Sequence, residues 1–121
     1  MNRLKIIVGK KELIAKLEDN ISTKALIELI KNKPLTISMS DYGGFEKVGS
    51  IGTSLPTSDT YITTEVGDIM LYQGNSMVIF YETNSWSYTR LGKIENVTKG
   101  SLLEVLGTGN VNLELSLIKG E

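Results

Sequence analysis

The chain has 121 residues, of which 40% are hydrophobic and 22% charged, a composition typical of one globular domain (residues 1–121) with a single core. Its 13 basic and 14 acidic residues leave a net charge of -1, which disfavours a nucleic-acid partner. Cysteine and histidine are absent, which excludes disulfides, thiolate catalysis, zinc sites that need sulfur or imidazole, and a Ser-His-Asp triad. The apolar run over 4–8 is too short for a signal peptide or a membrane span, so we expect a cytoplasmic protein.

The first 34 residues predict a β-hairpin followed by a helix. Apolar and polar residues alternate over 4–8 and again over 13–17, on either side of Gly9. Glycine supplies the positive φ that a two-residue hairpin turn needs at its first position. Capping side chains then precede a helical apolar pattern over 21–30, which Pro34 brings to an end.

A third strand is predicted over 35–40, where apolar residues alternate with hydroxyl residues. The regularity then stops. Residues 41–66 contain four glycines, one proline and many hydroxyls, with only a short strand-like piece around 48–51. A long irregular connection inside a compact domain is uncommon and often serves as a binding or lid segment.

The remaining residues predict a second hairpin, a further strand, a short helix and a final strand. The hairpin joins 68–72 to 76–83 through the turn Gln73-Gly74-Asn75, within a stretch (67–88) that holds three of the five tyrosines and the only tryptophan. A strand at 90–95, a helix from Thr98 to Leu106 and an alternating strand at 111–118 follow. Six to eight short strands with two helices favour a mainly β fold, closed or nearly closed into a barrel.

Several motifs, in their order along the chain, resemble the small prokaryotic cyclophilin-like proteins. They are GDIMLY at 67–72, the Gly74-Asn75 turn, VIFY at 78–81 and LGKI at 91–94, and the likeness extends to the first hairpin and to LTISMSDY at 35–42. The resemblance implies a closed β-barrel of about eight strands with two short helices. It also implies membership of a group whose biochemical role is largely undefined.

Cyclophilins themselves are peptidyl-prolyl isomerases, and the resemblance therefore raises that activity. Their mechanism uses an arginine beside an apolar proline pocket, and this chain has only Arg3 and Arg90, neither in the glycine-rich region after the third strand. The likeness places Met77 and Ile79 where cyclophilins have a glutamine and a pocket phenylalanine, and the pocket histidine is missing. Because a shared fold does not carry a shared activity, isomerase activity is only the alternative hypothesis.

Two groups of residues are candidates for ligand binding. The glycine-flanked segment could line a groove, and the alternating aromatic and basic residues after the second hairpin could form a platform on one strand face, a combination enriched at binding hot spots. The six candidates are Tyr42, Phe45, Glu46, Trp86, Tyr88 and Arg90. The plainer interpretations are that Gly43 and Gly44 only turn a barrel corner and that Trp86 covers a strand edge.

No catalytic residue, metal ligand or cofactor motif stands out. Asp41 with Glu46, or Asp59 with Glu65, would suit acid–base chemistry or a hard cation, but acidic loop residues are by default solvated. The leading hypothesis is a cyclophilin-like domain that binds a small molecule or an extended, proline-containing peptide between the 41–66 segment and the Trp86 face. A weak peptidyl-prolyl isomerase is the alternative, and an assembly role through a homodimeric edge is a third hypothesis.

Overall fold

A computed structural model describes residues 2–118. In chain order its elements are β1 (Arg3–Val8), β2 (Lys11–Leu17), α1 (Ile21–Ile30), β3 (Leu35–Tyr42), β4 (Glu46–Ser50), β5 (Thr60–Thr63), β6 (Asp68–Tyr72), β7 (Ser76–Phe80), β8 (Ser85–Ile94), α2 (Lys99–Leu106) and β9 (Val111–Ile118). Neither helix in this part of the chain is long and apolar enough to cross a bilayer.

Eight strands close into an antiparallel barrel, as the sequence predicts. Their order is β2-β1-β9-β3-β4-β7-β6-β8, and β2 pairs with β8 to complete the ring, while β5 pairs with the outer part of β8. At the β2–β8 seam, Gly92 lies opposite Leu17. A Cβ at this glycine would stand 2.3 Å from the Lys16 carbonyl oxygen, so only glycine lets the two backbones approach this closely.

The barrel interior is filled by alternate apolar residues of every barrel strand except β4. These inward residues include Leu4, Ile6, Leu13, Ala15, Ile37, Met39, Ile69, Leu71, Met77, Ile79, Leu91, Leu113 and Leu115. Each helix adds its buried side chains to this core, Leu26 and Ile30 from α1 and Leu102 and Leu106 from α2. The helices begin where the sequence predicts, because the side chains of Asn20 and Thr98 cap their free amides.

One side of the barrel wall, formed by β4, β7, β6 and β8, is buried on both faces. Successive residues of a strand point to opposite faces. Accordingly Met70, Val78, Phe80 and Tyr88 form a second apolar cluster, on the side opposite to the barrel core. We call this surface the outer face of the wall. On each of these strands the residues of the outer face have even numbers. In β8 this holds up to a bulge near Leu91, which shifts the alternation by one residue.

The structure corrects two predicted boundaries. The strand expected at 90–95 is the ten-residue β8, which already begins at Ser85 and contains Trp86 and Tyr88; its polar residues and its bulge hide the alternation. The strand expected at 76–83 ends at Phe80.

The segment 41–66 is more ordered than its composition suggests. It contains β4 and β5. Between them, Ile51 and Leu55 are buried in the barrel core, and their amides donate to carbonyls of the β6–β7 turn. Ser22 of α1 also donates to the Pro56 carbonyl oxygen. This segment therefore closes part of the barrel, and only its first residues reach the cavity described below.

Candidate functional site

A cavity of about 390 Å³ lies on the outer face of the wall. It is lined by residues from the β3–β4 hairpin, from β6, and from the start of β8 and the turn before it: Tyr42, Phe45, Glu46, Val48, Tyr72, Asn84, Trp86 and Tyr88. This volume falls within the range of small-molecule sites. The cavity is therefore not at the mouth of the barrel but against its outer side.

The tight β3–β4 hairpin brings the first group of lining residues together. Gly43 and Gly44 have φ values of 65° and 73°, a left-handed conformation that glycine adopts without strain. A Cβ at Gly43 would lie 2.2 Å from the Phe45 ring. The two glycines thus turn the chain and also let Phe45 fold back against the turn, beside the cavity.

Five aromatic rings contact one another in a continuous row. Tyr42 meets Phe45 edge-on with ring centroids 6.0 Å apart, and Phe45 lies parallel to Phe80 at 6.4 Å. Phe80 meets the Tyr88 ring at 5.3 Å, and Tyr88 lies 6.0 Å from Tyr72. Edge-on and offset arrangements of this kind add stability beyond the burial of area. The floor of the cavity is therefore a packed aromatic layer.

The Tyr88 hydroxyl is held in place from one side. Asn84 Nδ2 donates to it at 2.8 Å, which leaves the phenolic hydrogen free to donate elsewhere. Burial raises the pKa of Tyr88 above its ordinary value, so the hydroxyl stays protonated at neutral pH. It can act as a hydrogen-bond donor to a bound molecule.

Among residues 2–118, Glu46 is the one acidic residue that lines the cavity. It pairs with Tyr42 of β3 and with Phe80 of β7 in the sheet register, and it is only 6% exposed. Within residues 2–118 its carboxyl group has no hydrogen bond or ion pair. No fully enclosed side-chain oxygen or nitrogen in these residues lacks a partner, so the Glu46 carboxyl oxygens are not fully enclosed. Burial raises the pKa of Glu46 from 4.5 to about 7. A buried carboxyl without a partner is unusual and marks a candidate functional group.

Of the six predicted site residues, the structure brings five together in this cavity and places Arg90 outside it. Arg90 Nη1 lies 3.1 Å from Oδ1 of Asp68, a carboxylate buried at the start of β6. The other arginine, Arg3, pairs with Glu95 at 3.2 Å. Both guanidinium groups are therefore engaged in ion pairs away from the cavity. Ligand binding by the five clustered residues stays a prediction.

The two carboxylate pairs considered from the sequence do not come together as acid–base pairs. Asp41 and Glu46 point to opposite faces of the sheet, because Asp41 pairs with Lys47 and Glu46 pairs with Tyr42 in the β3–β4 register. Asp41 accepts hydrogen bonds from the Tyr81 hydroxyl at 3.0 Å and the Gly109 amide at 2.7 Å, and it lies 2.9 Å from the buried Lys47 ammonium.

The second pair is likewise divided. Asp59 accepts a hydrogen bond from Thr89, and Glu65 Oε1 lies 3.1 Å from Lys93 Nζ. Each of the two carboxylates has its own partner, so they do not form one site.

Three lining residues were missed by sequence reasoning: Val48, Tyr72 and Asn84. Tyr72 lies within the aromatic stretch and alternates with Met70, so the sequence pattern could have indicated that it lies on the outer face. Asn84 lies beyond Phe80, where β7 ends earlier than the sequence predicts, and no feature of the sequence indicated its role. Met77 and Ile79, which the resemblance put at pocket positions, face the barrel core instead; Val78 and Phe80 point outward.

Comparisons with known proteins agree with this architecture. The model of the cyclophilin-like family matches residues 6–116. No curated protein matches the chain. Among solved structures, the solution structure of a hypothetical protein from Archaeoglobus fulgidus is similar in fold, with a TM-score of 0.63 and 15% identity, over 94% of this chain and 92% of that one. The family match spans nearly all of the sequence, and the chain belongs to the cyclophilin-like family.

Proposed function

We propose that this protein is a binding domain that takes a small molecule, or one segment of an extended peptide, into the cavity on the outer face of the wall. The observation that carries the proposal is the cavity of about 390 Å³ lined by aromatic rings and a buried, unpartnered carboxyl group. Pockets that combine apolar walls with a few convergent polar groups are the usual form of ligand sites.

The packing beneath the cavity also supports binding. Phe80 and Tyr88 are buried, and their rings contact each other and those of Phe45 and Tyr72. Because these rings are fixed by the protein itself, a ligand loses little affinity to the ordering of side chains. Tyr42 and Trp86 remain largely exposed at the rim, where a ligand can cover them.

Trp86 provides a direct test, since it is the only tryptophan of the chain and lines the cavity. A library of metabolites and proline-containing peptides is screened by Trp86 fluorescence and thermal shift, and hits are confirmed by NMR. Tyr42→Ala should weaken a confirmed ligand about tenfold, the loss expected for an aromatic contact worth somewhat over 1 kcal/mol.

Tyr61→Ala is the matched control. Tyr61 is 73% exposed and Tyr42 64%, but Tyr61 does not line the cavity. Equal effects of the two substitutions would place the ligand elsewhere. A screen in which no compound perturbs Trp86, Tyr42 or Tyr88 would reject the proposal.

Weak peptidyl-prolyl isomerase activity is the second candidate, and the apolar aromatic cavity is the observation in its favour, because such a surface can hold a proline ring. Both arginines are paired elsewhere, so catalysis would depend on desolvation of the amide alone. Uncatalysed rotation has a barrier of about 18–20 kcal/mol, and a modest reduction is measurable. A coupled proline-peptide assay that shows no acceleration at high protein concentration eliminates this candidate.

Two other expectations from the sequence stay predictions. One is a cytoplasmic location. The other is assembly through a strand edge, for which β5 is the candidate because within residues 2–118 it pairs with β8 alone. Light scattering measures the oligomeric state directly.

A further inference from the structure

We propose that the cavity selects ligands that carry a positively charged nitrogen, such as an alkylammonium or methylated amine, held between the aromatic rings and the Glu46 carboxylate. This inference rests on the proposed function, because it names the chemical class of ligand for the same cavity. It goes further than a general binding role, since it excludes anions and makes neutral molecules the weaker ligands.

The position of Glu46 is the first argument. The residue is only 6% exposed, its side chain lines the cavity, and no group within residues 2–118 donates to its carboxyl oxygens. Burial of an ionised carboxylate without a partner is costly. A cation in the cavity would supply the missing partner.

The described part of the chain does not supply that cation. Among residues 2–118, the cavity lining contains no lysine or arginine. Lys47, the neighbour of Glu46 in sequence, points to the other face of the wall and pairs with Asp41 at 2.9 Å. The counter-charge must therefore arrive with the ligand.

The aromatic lining is the second argument. Tyr42, Phe45, Tyr72, Trp86 and Tyr88 all contribute to the cavity surface. Aromatic faces carry a negative quadrupole, and they attract ammonium and quaternary ammonium groups within about 6 Å of the ring centroid. An anion would meet both the ring faces and the carboxylate unfavourably. A neutral molecule would leave the carboxylate desolvated, and so would bind mainly when Glu46 is protonated.

This arrangement makes binding depend on pH. The other titratable groups near Glu46 are tyrosines, on β3 (Tyr42), β6 (Tyr72), β8 (Tyr88) and directly after β7 (Tyr81), and burial raises the pKa of Tyr81 and that of Tyr88. Because burial raises the pKa of Glu46 to about 7, a cation competes with the proton on Glu46. Its affinity should rise about tenfold between pH 6 and pH 8, with a proton released on binding.

The experiment compares a cation with its neutral isostere. Choline and 3,3-dimethylbutan-1-ol have the same shape and differ in that a quaternary carbon replaces the charged nitrogen. Tetramethylammonium and benzyltrimethylammonium extend the cation series to smaller and larger sizes. Binding is measured by Trp86 fluorescence and NMR at pH 6 and pH 8. We expect at least one cation of the series to bind, and choline to bind at least tenfold more tightly than its isostere at pH 8.

Glu46→Gln isolates the charge, because it keeps the shape of the side chain. It should remove the preference for the cation and the pH dependence, while the neutral isostere binds the variant at pH 6 and at pH 8 as it binds the parent at pH 6, which also reports an intact cavity. Glu12→Gln, at an exposed position of β2, is the control and should change nothing. Equal binding of cation and isostere, or a cation preference that survives Glu46→Gln, overturns the inference.

Failure of this inference is distinguishable from failure of the proposed function. If no cation binds but a neutral compound from the wider library perturbs Trp86, the selection for charge is wrong and the binding function stands. If nothing in either set perturbs the cavity residues, both are wrong.

Discussion

Replacing Glu46 with glutamine should make the protein more stable at neutral and alkaline pH and leave its stability nearly unchanged in mild acid. The reason is the position of the carboxyl group, which is buried among aromatic rings with no partner in the described part of the chain. In the folded state this group takes up a proton more readily than it does in the unfolded chain.

The sign and the size follow from the pKa of Glu46, which burial raises from 4.5 to about 7. Between these two values the folded state binds more protons than the unfolded state, so stability is greatest below pH 4.5 and falls as the pH rises through 7. Over this interval of about 2.5 pH units the loss amounts to about 3 kcal/mol. Glutamine cannot ionise and does not show this loss.

Urea unfolding, followed by Trp86 fluorescence from pH 4.5 to pH 8.5, provides the measurement. The difference in unfolding free energy between Glu46→Gln and the parent protein should grow from near zero at the acid end to about 3 kcal/mol above pH 8. Glu12→Gln, which alters an exposed carboxyl group, should run parallel to the parent. Asp41 does not confuse the comparison, because the hydrogen bond from Lys47 lowers its pKa and its contribution is lost only in stronger acid. Parallel profiles for Glu46→Gln and the parent would refute the reasoning.

Three substitutions test the packing that supports the cavity, each by urea unfolding. Phe80→Ala removes a fully buried ring from the aromatic floor and should cost about 3–5 kcal/mol; a loss below about 1 kcal/mol would contradict this packing. Lys47→Met should cost about 2 kcal/mol, because Asp41, itself 35% exposed, loses its charged partner; the double change with Asp41→Asn should cost less than the sum of the two single changes. Gly92→Ala should cost about 3 kcal/mol, since the new Cβ would stand 2.3 Å from the Lys16 carbonyl oxygen; full tolerance would mean that the barrel seam is not closed as described.

The fold was predictable from the sequence wherever one face of a strand is buried and the other is exposed. The hairpin around Gly9 and the final strand Val111–Ile118 show regular alternation, and both are confirmed. The family resemblance supplied the closed barrel. The boundaries of β8 were wrong because its bulge near Leu91 shifts the alternation by one residue, a change that no periodic pattern reveals.

The candidate site was predictable to the extent that it depends on residue type. Tyr42 and Phe45 were proposed because they flank the glycines of a turn, and Trp86 because it alternates with Tyr88 and Arg90 on one strand face. What the sequence did not reveal is the register, which places Glu46 beside Phe80 on the outer face and Lys47 on the other. Arg90 was proposed from its alternation with the aromatic residues, but the buried carboxylate of Asp68 engages it, and nothing local in the sequence indicates that partner.

The double-sided wall has a consequence for how this protein can change. Barrel filling and the outer face that carries the cavity are assigned to neighbouring positions: on β6, Leu71 belongs to the barrel core and Tyr72 lines the cavity, and on β7, Ile79 belongs to the barrel core and Val78 to the outer cluster. Two side chains that point in opposite directions from one strand do not touch. Ligand preference can therefore drift over generations, or be redesigned in the laboratory, at one set of positions while the other set preserves foldability.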